Sequence, residues 1–255
     1  NYRRGHMSRS VCIVQARMAS TRLPGKVLLE LAGRTVLSHV LERCQAIPGI
    51  DAVCCASPEG ADCDPVVAEA ERCGVEIFRG SEKDVLDRYY GAAKALNADF
   101  VLRVTSDCPL IDPELCGRVL AEVTSGRADF ATNNIPVTWP HGLDCEAFTF
   151  ALLERAAGEA QAAMEREHTG LFMRHASGVR RANVAAEKEN IGHHRWTLDM
   201  PQDYAFFDAL FPHLPEGPEG WGYGVPLALV EADPELTAIN AGHEHPLKNE
   251  HSVPR

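Results

Sequence analysis

S10-V-C-I-V14 runs directly into Q15-A-R-M-A-S-T-R-L-P-G-K26. The first piece, short and mostly apolar, reads as a buried strand, and the second as the loop that leaves it. That loop carries Arg17, Arg22 and Lys26 around Ser20-Thr21 and a Pro24-Gly25 turn, in a chain of formal net charge −11. Polyphosphates are gripped by guanidinium forks, point charges and backbone N–H groups held at fixed geometry. Arg17 and Arg22 offer forks, Lys26 a point charge, and Pro24-Gly25 a tight turn near an anion. A solvated basic loop making surface ion pairs is the competing interpretation. Two familiar phosphate loops are excluded. Position 20 is Ser where G-x-x-x-x-G-K-[ST] needs Gly, Val27 follows the lysine where a hydroxyl is needed, and no G-x-G-x-x-G follows any strand.

Working outward, further strand-like runs occur at 51–56, 75–78, 100–105, 129–132 and 195–199. Helical patterns lie between them. Val36, Leu37, Val40, Leu41 and Cys44 share one face, and 81–96 repeats apolar residues at helical spacing. Asp64-Pro65 and Asp112-Pro113 read as helix starts, with the aspartates as N-caps. Phe206, Phe207 and Phe211 fall at helical spacing and predict packing. Strand–helix alternation with short connections predicts an α/β fold: a mostly parallel mixed sheet with helices on both faces. Ligands in such sheets bind outside the carboxyl ends of the strands. The cationic loop, Asp107 after F100-V-L-R-V-T105 and Asp199 closing R195-W-T-L-D199 are therefore expected on one rim.

Residues 1–7, N1-Y-R-R-G-H-M7, read as an expression scar. The rest reads as a single domain over 8–240, with a central acceptor and dimerisation region around 133–190 and a flexible His-rich tail over 241–255. The acidic balance argues against a nucleic-acid surface, and no apolar run is long enough to cross a bilayer. Nine cysteines without a C-x-x-C pair suit a reducing, cytoplasmic setting better than a disulfide scaffold or a structural zinc site.

The 15–26 loop resembles the nucleotide-binding signature of the sugar-acid cytidylyltransferases, most closely their spore-coat polysaccharide branch. FRGSEKDVLDRYY from Phe78, RVTSDCPLIDP from Arg103, WPHGLDCE from Trp139, REHT from Arg166 and RWTLDMPQD from Arg195 match that branch in order. Ala19 departs from it, standing where the family usually carries Gly, which is tolerable unless a positive φ is needed. The resemblance implies a glycosyltransferase-A-like, nucleotide-diphospho-sugar transferase fold. It implies transfer of CMP from CTP to a small acidic acceptor, a sugar acid or phosphonate, with release of pyrophosphate and with Mg²⁺. On this mapping Arg17, Arg22 and Lys26 hold the triphosphate, with Gln15, Ala16, Ser20, Ser81 and Arg88 around the nucleotide. Asp107 and Asp199 bind the metal; Asp107 also touches the nucleotide, and Arg17 and Lys26 share the catalytic role.

Taken alone, Asp107 before Pro109 and Asp199 before Pro201 could equally be a turn-former and a helix-start residue. Magnesium's preference for one or two carboxylates is met by the pair. Asp112 and Asp203 read as caps. For the acceptor, the matched central motifs point to His141, Asp144, Glu146, Glu167, His168 and Arg195, the histidines being equally plausible as ordinary hydrogen-bonding groups. Arg174, Arg180 and Arg181 read as a solvated face. A homodimer is a family-level expectation, aided by apolar faces after Phe148. Two other functions remain open at this point: a glycosyltransferase using a nucleotide sugar on the same fold, and a non-catalytic nucleotide-binding protein.

Overall fold

The computed structural model describes residues 7–248; positions 1–6 of the expected scar and 249–255 of the expected tail lie outside the described residues. Nine strands form among the described residues: β1 Ser10–Gln15, β2 Glu30–Leu31, β3 Arg34–Thr35, β4 Ala52–Pro58, β5 Glu76–Gly80, β6 Phe100–Thr105, β7 Phe130–Thr132, β8 Glu146–Thr149 and β9 Arg181–Asn183. β2 and β3 make a small antiparallel pair of their own. The other seven build one sheet in the order β5-β4-β1-β6-β8-β7-β9. Every pairing in it is parallel except those of β8 with β6 and β7. The mostly parallel mixed sheet expected from the alternation is what forms.

Ten α-helices among the described residues accompany it: α1 Val36–Gln45, α2 Asp64–Arg72, α3 Val85–Ala95, α4 Pro113–Thr124, α5 Phe150–Glu159, α6 Ala163–Glu167, α7 Leu171–His175, α8 Pro201–Leu210, α9 Gly224–Ala232 and α10 Pro234–Ala238. β1 shows why the sheet is covered on both sides. Successive side chains of a strand point to opposite faces. Cys12 and Val14 accordingly pack with Leu37, Leu41 and Cys44 of α1 and Val119 of α4. Val11 and Ile13 pack with Leu86 and Tyr89 of α3 and Leu153 of α5. A third core gathers Trp139, Trp196 and Leu198 with Phe206, Phe207, Leu210 and Phe211 of α8 and the turn after it. The phenylalanines are thus packing residues, as their spacing predicts.

Three local expectations are corrected. Residues 195–199 are extended but form no strand of the sheet: they are pinned by loops, through Trp196 N–H to His141 O at 2.6 Å and Leu198 N–H to Asp107 O at 2.8 Å. Burial of Arg195, Trp196, Thr197 and Leu198 produces the strand-like pattern without ladder pairing. Asp64 is the first residue of α2, and its carboxylate accepts from Arg79 Nη1 at 2.7 Å instead of capping the helix. Asp112 does cap α4, accepting from Glu114 and Leu115 N–H. The apolar faces after Phe148 are spent inside the chain, where α5 buries Leu152, Leu153 and Ala156. They give no support to a homodimer.

Candidate active site

β1 and β6 run side by side and in the same direction, so Gln15 and Thr105 end at one edge in register. The 16–25 loop leaves from the first, Ser106 and Asp107 from the second. The loop turns back on itself through Gly25 N–H to Met18 O at 3.2 Å and Leu28 N–H to Gly25 O at 3.0 Å. Gly25 holds φ +66°, a left-handed conformation that costs glycine nothing. Ala19 is not among the residues with positive φ, so its methyl is compatible with the loop. Leu198, fastened to the Asp107 carbonyl, delivers Asp199 to the same place. The rim expected from the sequence therefore exists, although one of its three parts arrives on a loop segment.

The two aspartates converge on one cation. Lys26 Nζ lies 3.1 Å from Asp107 Oδ2 and 3.4 Å from Asp199 Oδ1, and Arg22 Nη2 lies 2.5 Å from Asp199 Oδ2. Burial alone would push the Asp107 carboxyl up; Lys26, the Thr105 hydroxyl and His141 outweigh it and hold the group below the usual carboxylate range. Burial likewise pulls the Lys26 ammonium down, and Asp107 and Asp199 more than restore it. The result is a charged cluster of two hard oxygen donors and one ammonium at the mouth of a cleft of about 570 Å³. Two convergent carboxylates are the donor set a magnesium-sized cation accepts.

Gln15, Ala16, Arg17, Ser20, Arg22, Lys26, Arg88, Asp107 and Asp199 all line this cleft, and Glu167 and His168 line it from α6 and its end. The remaining expected residues are elsewhere. Ser81 is not at the cleft: its hydroxyl accepts from Asp84 N–H and its carbonyl from Arg88 Nη1, so it shapes the turn that aims Arg88. Glu146 is buried beneath the cleft between Arg103 and Arg174. That places Arg174 in an ion pair, not on a solvated face. Arg195 is buried too, its Nε and Nη2 on Asp203 at 2.8 and 2.9 Å. Asp203 in turn accepts from Asp199 and Met200 N–H, so its capping role extends to holding the segment that carries Asp199.

His141 and Asp144 also stay out of the cleft lining, in a cluster completed by His245 from the expected tail. Donor atoms of the three lie within 4.8 Å of one another, spacing that a metal could use. The hydrogen bonds assign a different role. His245 Nδ1 accepts from Leu247 N–H at 3.0 Å, which leaves Nε2 protonated to donate to Asp144 Oδ1 at 2.9 Å. Asn134 Nδ2 and Gly142 N–H satisfy the same carboxylate. Burial would raise the Asp144 carboxyl; His245, His141 and the Gly142 N–H bring it to about 2. The cluster ties the chain after Ala241 to the Pro140–Asp144 turn. Arg103, Glu82 and Lys83 line the cleft unannounced by the sequence reading. The available signal for Arg103 was a charge in the middle of an otherwise apolar strand.

A sequence-family model described as cytidylyltransferase matches residues 11–205. An uncharacterised protein of Methanocaldococcus jannaschii is 33% identical over 205 residues, 79% of this chain and 83% of its own. The spore coat polysaccharide biosynthesis protein SpsF of Bacillus subtilis is 29% identical over 214 residues, 81% and 88% of the two chains. Among solved structures, a cytidylyltransferase from Leptospira borgpetersenii superposes with TM-score 0.86 at 29% identity, covering 94% of this chain and all of that one. Similarity therefore extends across the sheet, the cationic loop and both aspartates.

Proposed function

The chain belongs to the cytidylyltransferase family, and from that premise we propose that it transfers CMP from CTP to a small acidic acceptor, a sugar acid or phosphonate, releasing pyrophosphate. The observation that carries this reading is the convergence of Lys26, Asp107 and Asp199, with Arg22 on Asp199, beside a cleft that Arg17 also lines. In the reaction an acceptor oxygen bonds to the α-phosphorus while the α–β phosphoanhydride bond breaks, and the electron pair leaves with pyrophosphate. Phosphoryl transfer of this kind depends on positioning and charge neutralisation more than on covalent participation by the protein.

Arg17, Arg22 and Lys26 would bind the triphosphate and neutralise the departing pyrophosphate. Arg88, fixed by the Ser81 carbonyl, borders the nucleotide side of the cleft. Glu167 and His168 border the acceptor side. Asp107 and Asp199 would hold a divalent cation, magnesium, which supplies further neutralisation of the triphosphate when bound. Lys26 holds the two carboxylates together and helps keep Asp107 ionised. Nine free thiols, eight of them buried, suit a reducing cytoplasm, and a homodimer remains the family-level expectation.

The test is a pyrophosphate-release screen of the four nucleoside triphosphates against 2-keto sugar acids, uronic acids and phosphonates, with Mg²⁺ and with excess chelator. CTP-dependent, chelator-sensitive release with one acid class is expected. Release with UTP or GTP and none with CTP would refute the base assignment. CTP binding without turnover of any acid would leave only a nucleotide-binding protein.

A further inference from the structure

Arg103 stands on β6 opposite Glu146 on β8. Its Nη1 donates to Glu146 Oε2 at 3.2 Å, while Glu146 Oε1 takes Arg174 Nε at 3.1 Å and Nη2 closer still. Glu146 has 2% of its side chain exposed. Burial pushes its carboxyl up, and Arg174 and Arg103 together bring it below the ordinary value, so it is ionised. Gly170 makes room for this group: a Cβ there would fall 2.4 Å from Glu146 Oε2. Glu146 thus holds one amino group of Arg103 on one oxygen and the Arg174 fork on the other, beneath the cleft.

Glu146 does not engage the Nε–Nη2 edge of Arg103. Elsewhere in the chain, arginines use the Nε–Nη2 edge to grip carboxylates: Arg195 on Asp203, Arg166 on Asp84 at 2.9 and 2.7 Å, Arg127 on Glu122, Arg180 on Asp129. On Arg103 that edge has no hydrogen-bond partner among the described residues: its Nε is enclosed by the protein, and Nη2 is the donor left to the cleft. Arg103 lines the cleft together with Asp107, Glu167 and His168, whereas the triphosphate already has Arg17, Arg22 and Lys26.

We infer that Arg103 is the anchor for the carboxylate of the acceptor, its guanidinium held in place by the buried Glu146–Arg174 pair. This rests on the cytidylyltransferase reading and deepens it by assigning the residue that selects acids over neutral sugars. Neither Glu146 nor Arg174 touches the acceptor; they position Arg103.

The experiment titrates 2-keto-3-deoxyoctonate, glucuronate and neutral glucose separately into the full chain and into Arg103→Met and Arg103→Lys, following heat. CTP with Mg²⁺ is titrated in parallel. Wild type should bind at least one acid and not glucose. Arg103→Met should weaken that acid about ten- to hundred-fold, the range of a charge-assisted pair, with CTP affinity within two-fold. Arg103→Lys keeps the charge in the buried cluster but cannot hold Glu146 and present a second donor to the cleft at the guanidinium's geometry, so it carries the test if the methionine variant fails to fold and should show the same acid-selective weakening. Unchanged acid affinity, or equal weakening of acid and CTP, overturns the assignment. Wild type that binds CTP but neither acid also overturns it while leaving the nucleotide reading intact. Failure to bind CTP overturns that reading itself, and this assignment with it.

Discussion

Lys26 Nζ sits 3.1 Å from Asp107 Oδ2, joining the cationic loop to the end of β6 across 81 residues of sequence. One ammonium thereby sets the spacing of two carboxylates. Asp107→Asn keeps the backbone carbonyl that holds Leu198 and Thr197, and its side-chain oxygen still accepts from Lys26. Stability should therefore stay near wild type. Turnover should fall about 10²–10³-fold, the loss typical of one preorganised electrostatic contact to a transition state. Pyrophosphate release under saturating CTP and Mg²⁺ measures it, and a variant within five-fold of wild type would remove Asp107 from the machinery.

The turn around Gly142 makes a second prediction. Gly142 holds φ +116°, and a Cβ there would lie 2.0 Å from the backbone oxygen of Trp196. Two backbones are in contact, and neither can yield without moving Asp107's neighbour, the 195–199 segment. Gly142→Ala should cost more than about 3 kcal/mol in urea unfolding, combining strain with a clash. Gly33→Ala is the control: φ is +75° but nothing lies within 4 Å, so only the left-handed penalty of about 1–2 kcal/mol applies. Equal costs at the two sites would mean that the close approach does not hold.

The sheet and its loop were readable because both depend on local signals. β1 is a short apolar run buried on both faces, and a cationic turn at the end of such a strand has few other uses. Asp199 was legible as a residue but not as a position, since 195–199 is placed by hydrogen bonds to residues 141 and 107 that no local pattern encodes. The same reason hid the fates of Arg195 and Glu146. A charged residue inside a matched motif looks the same in sequence whether it faces ligand or a buried partner. Arg103 shows the opposite failure: its neighbours on β6 are apolar, and only the strand pairing with Glu146 reveals why a cation is tolerated there.

Arg195 gives the prediction that separates those two fates. Burial would raise the Asp203 carboxyl, and Arg195, Asn240 and the Met200 N–H keep it low. Arg195→Met leaves that carboxylate buried with its principal counter-ion gone, which costs about 3–5 kcal/mol. Thermal unfolding should report the loss, while the KM for the acid stays within two-fold of wild type in the folded fraction. A variant of normal stability with a large rise in that KM would return Arg195 to the acceptor.

His194 makes stability depend on pH. Its imidazole is 6% exposed, and burial, then the tilted ring of His193 with its centroid 4.0 Å away, bring its pKa to about 4; Lys188 acts in the same direction and Glu231 opposes them. Thr237 Oγ1 faces Nδ1 at 3.3 Å as a neutral partner. Unfolded histidine titrates near about 6.5, so between that value and about 4 the unfolded chain binds the proton and the folded chain does not. The contribution is complete above the unfolded pKa and is lost as pH falls through the folded one, a change of about 2–3 kcal/mol. The Asp144 contribution is held until lower pH, because its folded pKa is about 2, which keeps the two windows apart. Urea unfolding at pH 7.5 and pH 4.5 should show a marked loss for wild type and a smaller one for His194→Gln, the remainder coming from His39 and His141, whose pKa values burial also lowers. A glutamine variant that loses as much stability as wild type between the two pH values would place the sensitive group elsewhere.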